Sequence, residues 1–124
     1  MRSGDLKQIS SLQQALCEIE KQIQDIDPTA IQCRADHNVS ESSRIMFVRF
    51  FIGKLFFKKE ILEIKVIYDL IKDSFGEGNL ILDKISIDYM ESKYYNEIRN
   101  KIVLFISQNE RLLKGVEIKE VKRF

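Results

Sequence analysis

Residues 44–75 read RIMFVRFFIGKLFFKKEILEIKVIYDLIKDSF, and whether this run coils or extends decides the fold. Val48, Phe51, Ile52, Leu55, Leu62, Val66 and Leu70 fall at helical spacing, and charges at Lys54, Lys58, Lys65, Asp69 and Lys72 recur on another side. The front of the run is apolar nearly all round, as expected for a helix surrounded by neighbours. The spacing predicts one long helix, or two with Gly53 as the weak point. The main alternative is strand–turn–strand through Ile52-Gly53-Lys54, because Phe, Ile and Val favour strands as well. Helix is the reading taken here.

Working outward, the N-terminal side carries the clearest pattern. Ile9, Leu12, Leu16, Ile19, Ile23 and Ile26 are spaced 3, 4, 3, 4, 3, a heptad stripe that Leu6 extends by one step. It predicts a helix over about 6–27, started near Ser3 or Asp5 and ended by Pro28, which lacks an N–H and pushes residue 27 out of the α region. Such a stripe either docks on its own domain or pairs with another chain. Residues 28–43, PTAIQCRADHNVSESS, read as a loop, with Ser42 or Ser43 capping the next helix.

On the C-terminal side, Gly76-Glu77-Gly78-Asn79 reads as a break with Gly76 as a helix C-cap. Leu80-Ile81-Leu82 and Ile85-Ser86-Ile87 have no decisive period and predict a short helix or packed loop. A last helix is expected over about 88–114, on Tyr94 or Tyr95, Ile98, Ile102, Phe105 and Ile106, with Gly115 as its stop. The alternating tail, residues 115–124, suggests one short strand.

At 124 residues the chain has room for one domain with a real core, and 44% hydrophobic residues exclude wholesale disorder. A net charge of +1 argues against a general nucleic-acid binder. Two cysteines do not make a disulfide framework and favour a reducing compartment. No apolar run follows the N-terminus, so no signal peptide is expected. The stretch Ile45–Phe57 is too short and too charged to span a bilayer, so no membrane partner is expected.

Catalytic and ligand motifs are weak throughout. Cys33-x-x-x-His37 with Asp36 resembles half a metal site and lacks further ligands, so no metal is assigned. His37 is the sole histidine and has no nucleophile elbow around it. Gly76-x-Gly78 lacks the rest of a phosphate cradle. Asn38-Val39-Ser40 matches a glycosylation sequon that a chain without a leader does not use. Charge is unevenly spread: residues 1–41 hold four cations and seven anions, residues 42–65 six cations and two anions. A basic, Phe-rich middle is the one feature compatible with nucleic acid. Its simpler reading is core Phe residues with outward basic groups.

Glu41-Ser-Ser-Arg44-Ile45-Met-Phe47-Val48, followed by Lys54-Leu55-Phe-Phe-Lys58-Lys59-Glu60, resembles the central segment of subunits of the eukaryotic GINS DNA-replication complex. Residues 97–121, EIRNKIVLFISQNERLLKGVEIKEV, are similar to the close of the helical domain in the Sld-type subunit, at Phe105, Glu110, Leu113, Lys114, Val116 and Lys119. The resemblance covers about half of the chain and rests mostly on spaced hydrophobics. It implies a non-catalytic scaffold whose helical domain packs with three sister subunits and joins the replicative helicase, in the nucleus. The small β-rich domain of such subunits has no counterpart here beyond residues 116–124.

The expectation is therefore an all-α, antiparallel bundle of three to five helices in a single domain, with one short C-terminal strand. Its expected role is a non-catalytic, intracellular protein–protein interaction subunit without cofactor or metal. The candidate interface is Leu12, Leu16, Ile19 and Ile23 on the first helix, with Arg44, Phe47, Phe51, Lys54 and Lys58 on the second. Homo- or hetero-oligomers would form through the N-terminal helix as a coiled coil. The competing role is a small adaptor, chaperone or inhibitor bound to one protein target; direct nucleic-acid binding ranks third.

Overall fold

A computed structural model of the chain describes residues 3–54, 56–72 and 78–124. The element order is α1 (Ser3–Ile26), β1 (Ile31–Asn38), β2 (Ser43–Ile52), β3 (Lys59–Lys72), β4 (Gly78–Tyr89), α2 (Tyr95–Gln108) and β5 (Glu117–Lys122). The expected all-α bundle is overturned, and with it the coiled coil: five strands form one sheet in the order β1-β2-β3-β4-β5. The long helix expected over 44–75 is, in its described part, β2, a turn and β3. The loop over 28–43 contains β1. The segment before the last helix is β4, and that helix begins at Tyr95, not near residue 88. The Gly76 cap and Leu55 lie outside the described residues.

Strand pairing explains the correction. In β2, Met46, Val48 and Phe50 are buried while Ile45, Phe47 and Arg49 are not, a period of two. Across the sheet Met46, Val66 and Ile85 stand opposite one another, as do Val48, Ile64 and Ile87. β1 through β4 run as an antiparallel meander. β4, α2 and β5 then form a crossover that brings β5 parallel to β4. Register shifts at Phe50/Phe51 and at Ile67/Tyr68 mark bulges that bend the sheet.

Both helices pack on one face of the sheet. Leu12, Leu16, Ile19 and Ile23 of α1 join Ile98, Ile102 and Phe105 of α2 and the inward strand residues, among them Met46, Val48, Ile64, Val66, Ile85 and Ile87, in one buried cluster. Full burial of each Leu or Ile contributes about 1.5–3 kcal/mol. That is enough to hold a helix whose own propensity would leave it marginal. α1 ends where Pro28 dictates. Asp27 Oδ1 accepts hydrogen bonds from Thr29 N at 2.9 Å and Thr29 Oγ1 at 2.6 Å, and these hold its carboxyl below the usual range. The tail is tied in as well: Tyr89 Oη donates to Glu120 Oε1 at 2.6 Å, and the Tyr95 ring meets Phe124 edge-on at 5.2 Å. No described helix is long and apolar enough to cross a membrane.

Candidate interaction face

Strand alternation that sends one set of side chains into the core sends the other set to the opposite face. Among the described residues no helix covers that face. Reading across β1 to β5, one row holds His37, Ile45, Ile67 and Lys84; the next holds Ala35, Phe47, Lys65, Ser86 and Lys119; a third holds Cys33, Arg49, Glu63, Asp88 and Val121. Ile45, Phe47, Phe51 and Ile67 are half-buried by their strand neighbours alone.

The centre of this face is an alternating row of charge. Arg49 Nε reaches Glu63 Oε2 at 2.8 Å, and Lys65 Nζ bridges Glu63 Oε1 at 3.4 Å and Asp88 Oδ2 at 3.6 Å. Arg123 Nη2, beyond β5, closes the row on Asp88 Oδ2 at 3.2 Å. The two acids are almost shut off from water, with side chains 10% and 3% exposed, whereas Arg49 and Arg123 are half exposed. Such pairing fixes the geometry of the face more than it adds stability. Two oxygens at this site, Glu60 Oε1 and Asp88 Oδ1, are buried without a protein donor. Burial first, and then the negative charge of Glu63, pushes the Glu60 carboxyl up from its ordinary value.

Toward β1 the face becomes apolar. A groove of about 360 Å³ is lined by Cys33, Ala35, His37, Phe47, Arg49 and Phe51. The His37 ring meets Phe47 edge-on at 5.4 Å, and the Arg49 guanidinium lies 5.9 Å from the centre of the same ring. Beside the groove, β1 is an edge strand with residues 33–38 all exposed. Its outer N–H and C=O groups face away from β2, a template for another strand.

The nine candidate residues read from the sequence separate into four places. Leu12, Leu16, Ile19 and Ile23 are 0–2% exposed in the chain's own core, so none is presented to a partner. Phe47 and Phe51 line the groove. Arg44 lies at a different cleft, of about 300 Å³, with Gln13, Asp36 and Tyr68. Lys54 and Lys58 sit in the β2–β3 turn. Sequence reading missed Cys33, Ala35 and His37 as groove residues because their segment was taken for loop, and missed Glu63, Lys65, Asp88 and Arg123. The one signal available was the alternation of Glu63 and Lys65 with Ile64 and Val66.

The metal-like spacing of Cys33 and His37 dissolves in a strand. Four residues at about 3.3 Å each separate them by roughly 13 Å along β1, and Asp36 points to the other face. No group of three His, Cys, Asp or Glu able to hold a metal occurs among the described residues. The described residues that resembled GINS subunits fall on β2, the β2–β3 turn, the start of β3, α2, the segment after it and β5, so the long helix implied for residues 41–60 is not their fold. No family model matches the chain, and no curated protein or solved structure matches it.

Proposed function

We propose that the chain is a non-catalytic protein-binding module that takes up an extended segment of a protein partner at the edge of β1. The main-chain groups of that edge would pair with the segment, and alternate side chains of the segment would enter the groove between Cys33, His37, Phe47 and Phe51. The observation that carries this reading is an eight-residue edge strand, free of proline and bulge, lying directly beside an apolar groove. Soluble proteins ordinarily blunt such an edge. The near balance of charge on the face favours a protein over nucleic acid, whose phosphates demand an unpaired positive excess. Arg49, Lys65 and Arg123 are already engaged by Glu63 and Asp88.

The test is a native pull-down of the tagged chain from its source, with mass determination of the eluted complex, beside the edge variant Asp36→Pro, whose N–H points away from β2, and the groove variant Phe47→Ser. A defined partner should be recovered with the parent chain and lost with both variants. The variants should keep the parent's circular dichroism and melting temperature within a few degrees. Equal recovery with Asp36→Pro and Phe47→Ser sinks the edge reading.

A further inference from the structure

The β2–β3 turn presents two aromatic side chains to solvent. Phe56 and Phe57 are 87% and 84% exposed, more than any other large hydrophobic residue described. They are not carried on a slack loop. Gly53 adopts φ +115°, and a Cβ there would come within 2.6 Å of the Phe57 carbonyl oxygen. Phe57 N donates to Lys54 O at 2.8 Å, Gly53 N donates to Thr29 Oγ1 at 2.8 Å, and Lys58 Nζ donates to Gly53 O at 3.2 Å. The base of the turn is thereby tied to the turn between α1 and β1, and the rings are held outward. Lys54, Lys58 and Lys59 flank them, all exposed, and none forms an ion pair with a described residue.

We infer that this turn is an anchor for an anionic membrane surface, with Phe56 and Phe57 entering the interfacial layer and Lys54, Lys58 and Lys59 resting among acidic headgroups. Charge complementarity selects this occupant. Two protruding rings flanked by ammonium groups that have no carboxylate partner among the described residues match a surface that is negative outside, apolar beneath and deformable. Attachment of this kind needs no spanning segment, and it lies apart from the β1 groove.

The test uses the full chain and flotation with vesicles of phosphatidylcholine alone or with 30% phosphatidylserine added, at low and high salt. Three variants accompany the parent: Phe56→Ser with Phe57→Ser, Lys54→Ser with Lys59→Ser, and Phe57→Trp as a fluorescent probe. The parent should float only with the anionic vesicles, and both double variants and high salt should cut binding by about tenfold. The Phe57→Trp emission should shift to the blue on anionic vesicles. Because both rings are exposed, the variants should melt with the parent. Absence of binding to anionic vesicles, undiminished binding of the Phe double variant, or a Trp emission that does not move would each overturn the inference. Phe47→Ser should float like the parent, so loss of the edge reading and loss of the membrane reading are told apart.

Discussion

At the scale of one residue, Glu60 is the group whose chemistry the fold disturbs most clearly on the interaction face. Its Oε1 is buried with no donor, and Glu63 lies near enough to repel its charge, with Asp88 adding a lesser push and Arg49 opposing both. Its carboxyl therefore titrates above the ordinary 4.5. The sign follows from linkage. In the window between the ordinary and the raised value the folded chain binds more protons than the unfolded one, so stability falls as pH rises through it. Above that window the cost is constant, and below it the cost disappears. Glu60→Gln, which removes the charge and keeps the shape, is predicted to raise the melting temperature at pH 7. The two curves should converge below the ordinary carboxylate range. Thermal melts of both proteins between pH 3 and 8 check this; a variant no more stable at pH 7 would mean that the ionised form is satisfied in place.

At the scale of the element, α1 was the part most legible in the sequence. A stripe at 3, 4, 3, 4 spacing over polar neighbours admits a helix and no strand. Its buried members, Leu12, Leu16, Ile19 and Ile23, are the residues that spacing picked out; what the pattern could not tell was whether they met a sheet or another chain. β2 was illegible for a physical reason. Of its outward residues over 45–51, Ile45, Phe47 and Phe51 are apolar too, and Arg49 alone marks the polar half of the alternation. β3 misled differently. Leu62 and Val66 are four apart, a spacing that serves one face of a helix and one face of a strand equally well. The polar loop reading of β1 failed because an edge strand on an uncovered face buries almost nothing. The groove inherits that failure, since half of its lining comes from β1. The corrected role of the stripe makes a prediction. Leu16→Ala should cost about 2–5 kcal/mol in urea unfolding, the range for a cavity at a fully buried leucine, with no change of mass in solution. Leu104→Asp, on the exposed side of α2, should cost under about 0.5 kcal/mol. A Leu16→Ala chain that loses mass and keeps its stability would restore the intermolecular reading of the stripe.

At the scale of the whole molecule, the order in which contacts close separates this fold from the bundle first expected. β2, β3 and β4 pair with their immediate neighbours in sequence, so they can form first. α1 and β5 cannot. The stripe of α1 has no apolar surface to meet until Met46, Val48, Ile64, Val66, Ile85 and Ile87 are side by side, and β5 reaches β4 only after α2 has crossed, with Ile118 opposite Ile85. Such non-local closures cost chain entropy before they return any contact energy, which slows folding. Stopped-flow refolding is therefore predicted to take milliseconds or longer, where a simple helical bundle would finish in microseconds to milliseconds. Mutations should divide accordingly. Ile64→Val, in the central strand, should slow folding by most of its equilibrium effect, whereas Leu16→Ala should act mainly by speeding unfolding. The reverse assignment would mean that α1 recruits the strands; the meander would then be the late element, and the β1 edge would close last against a helix already in place.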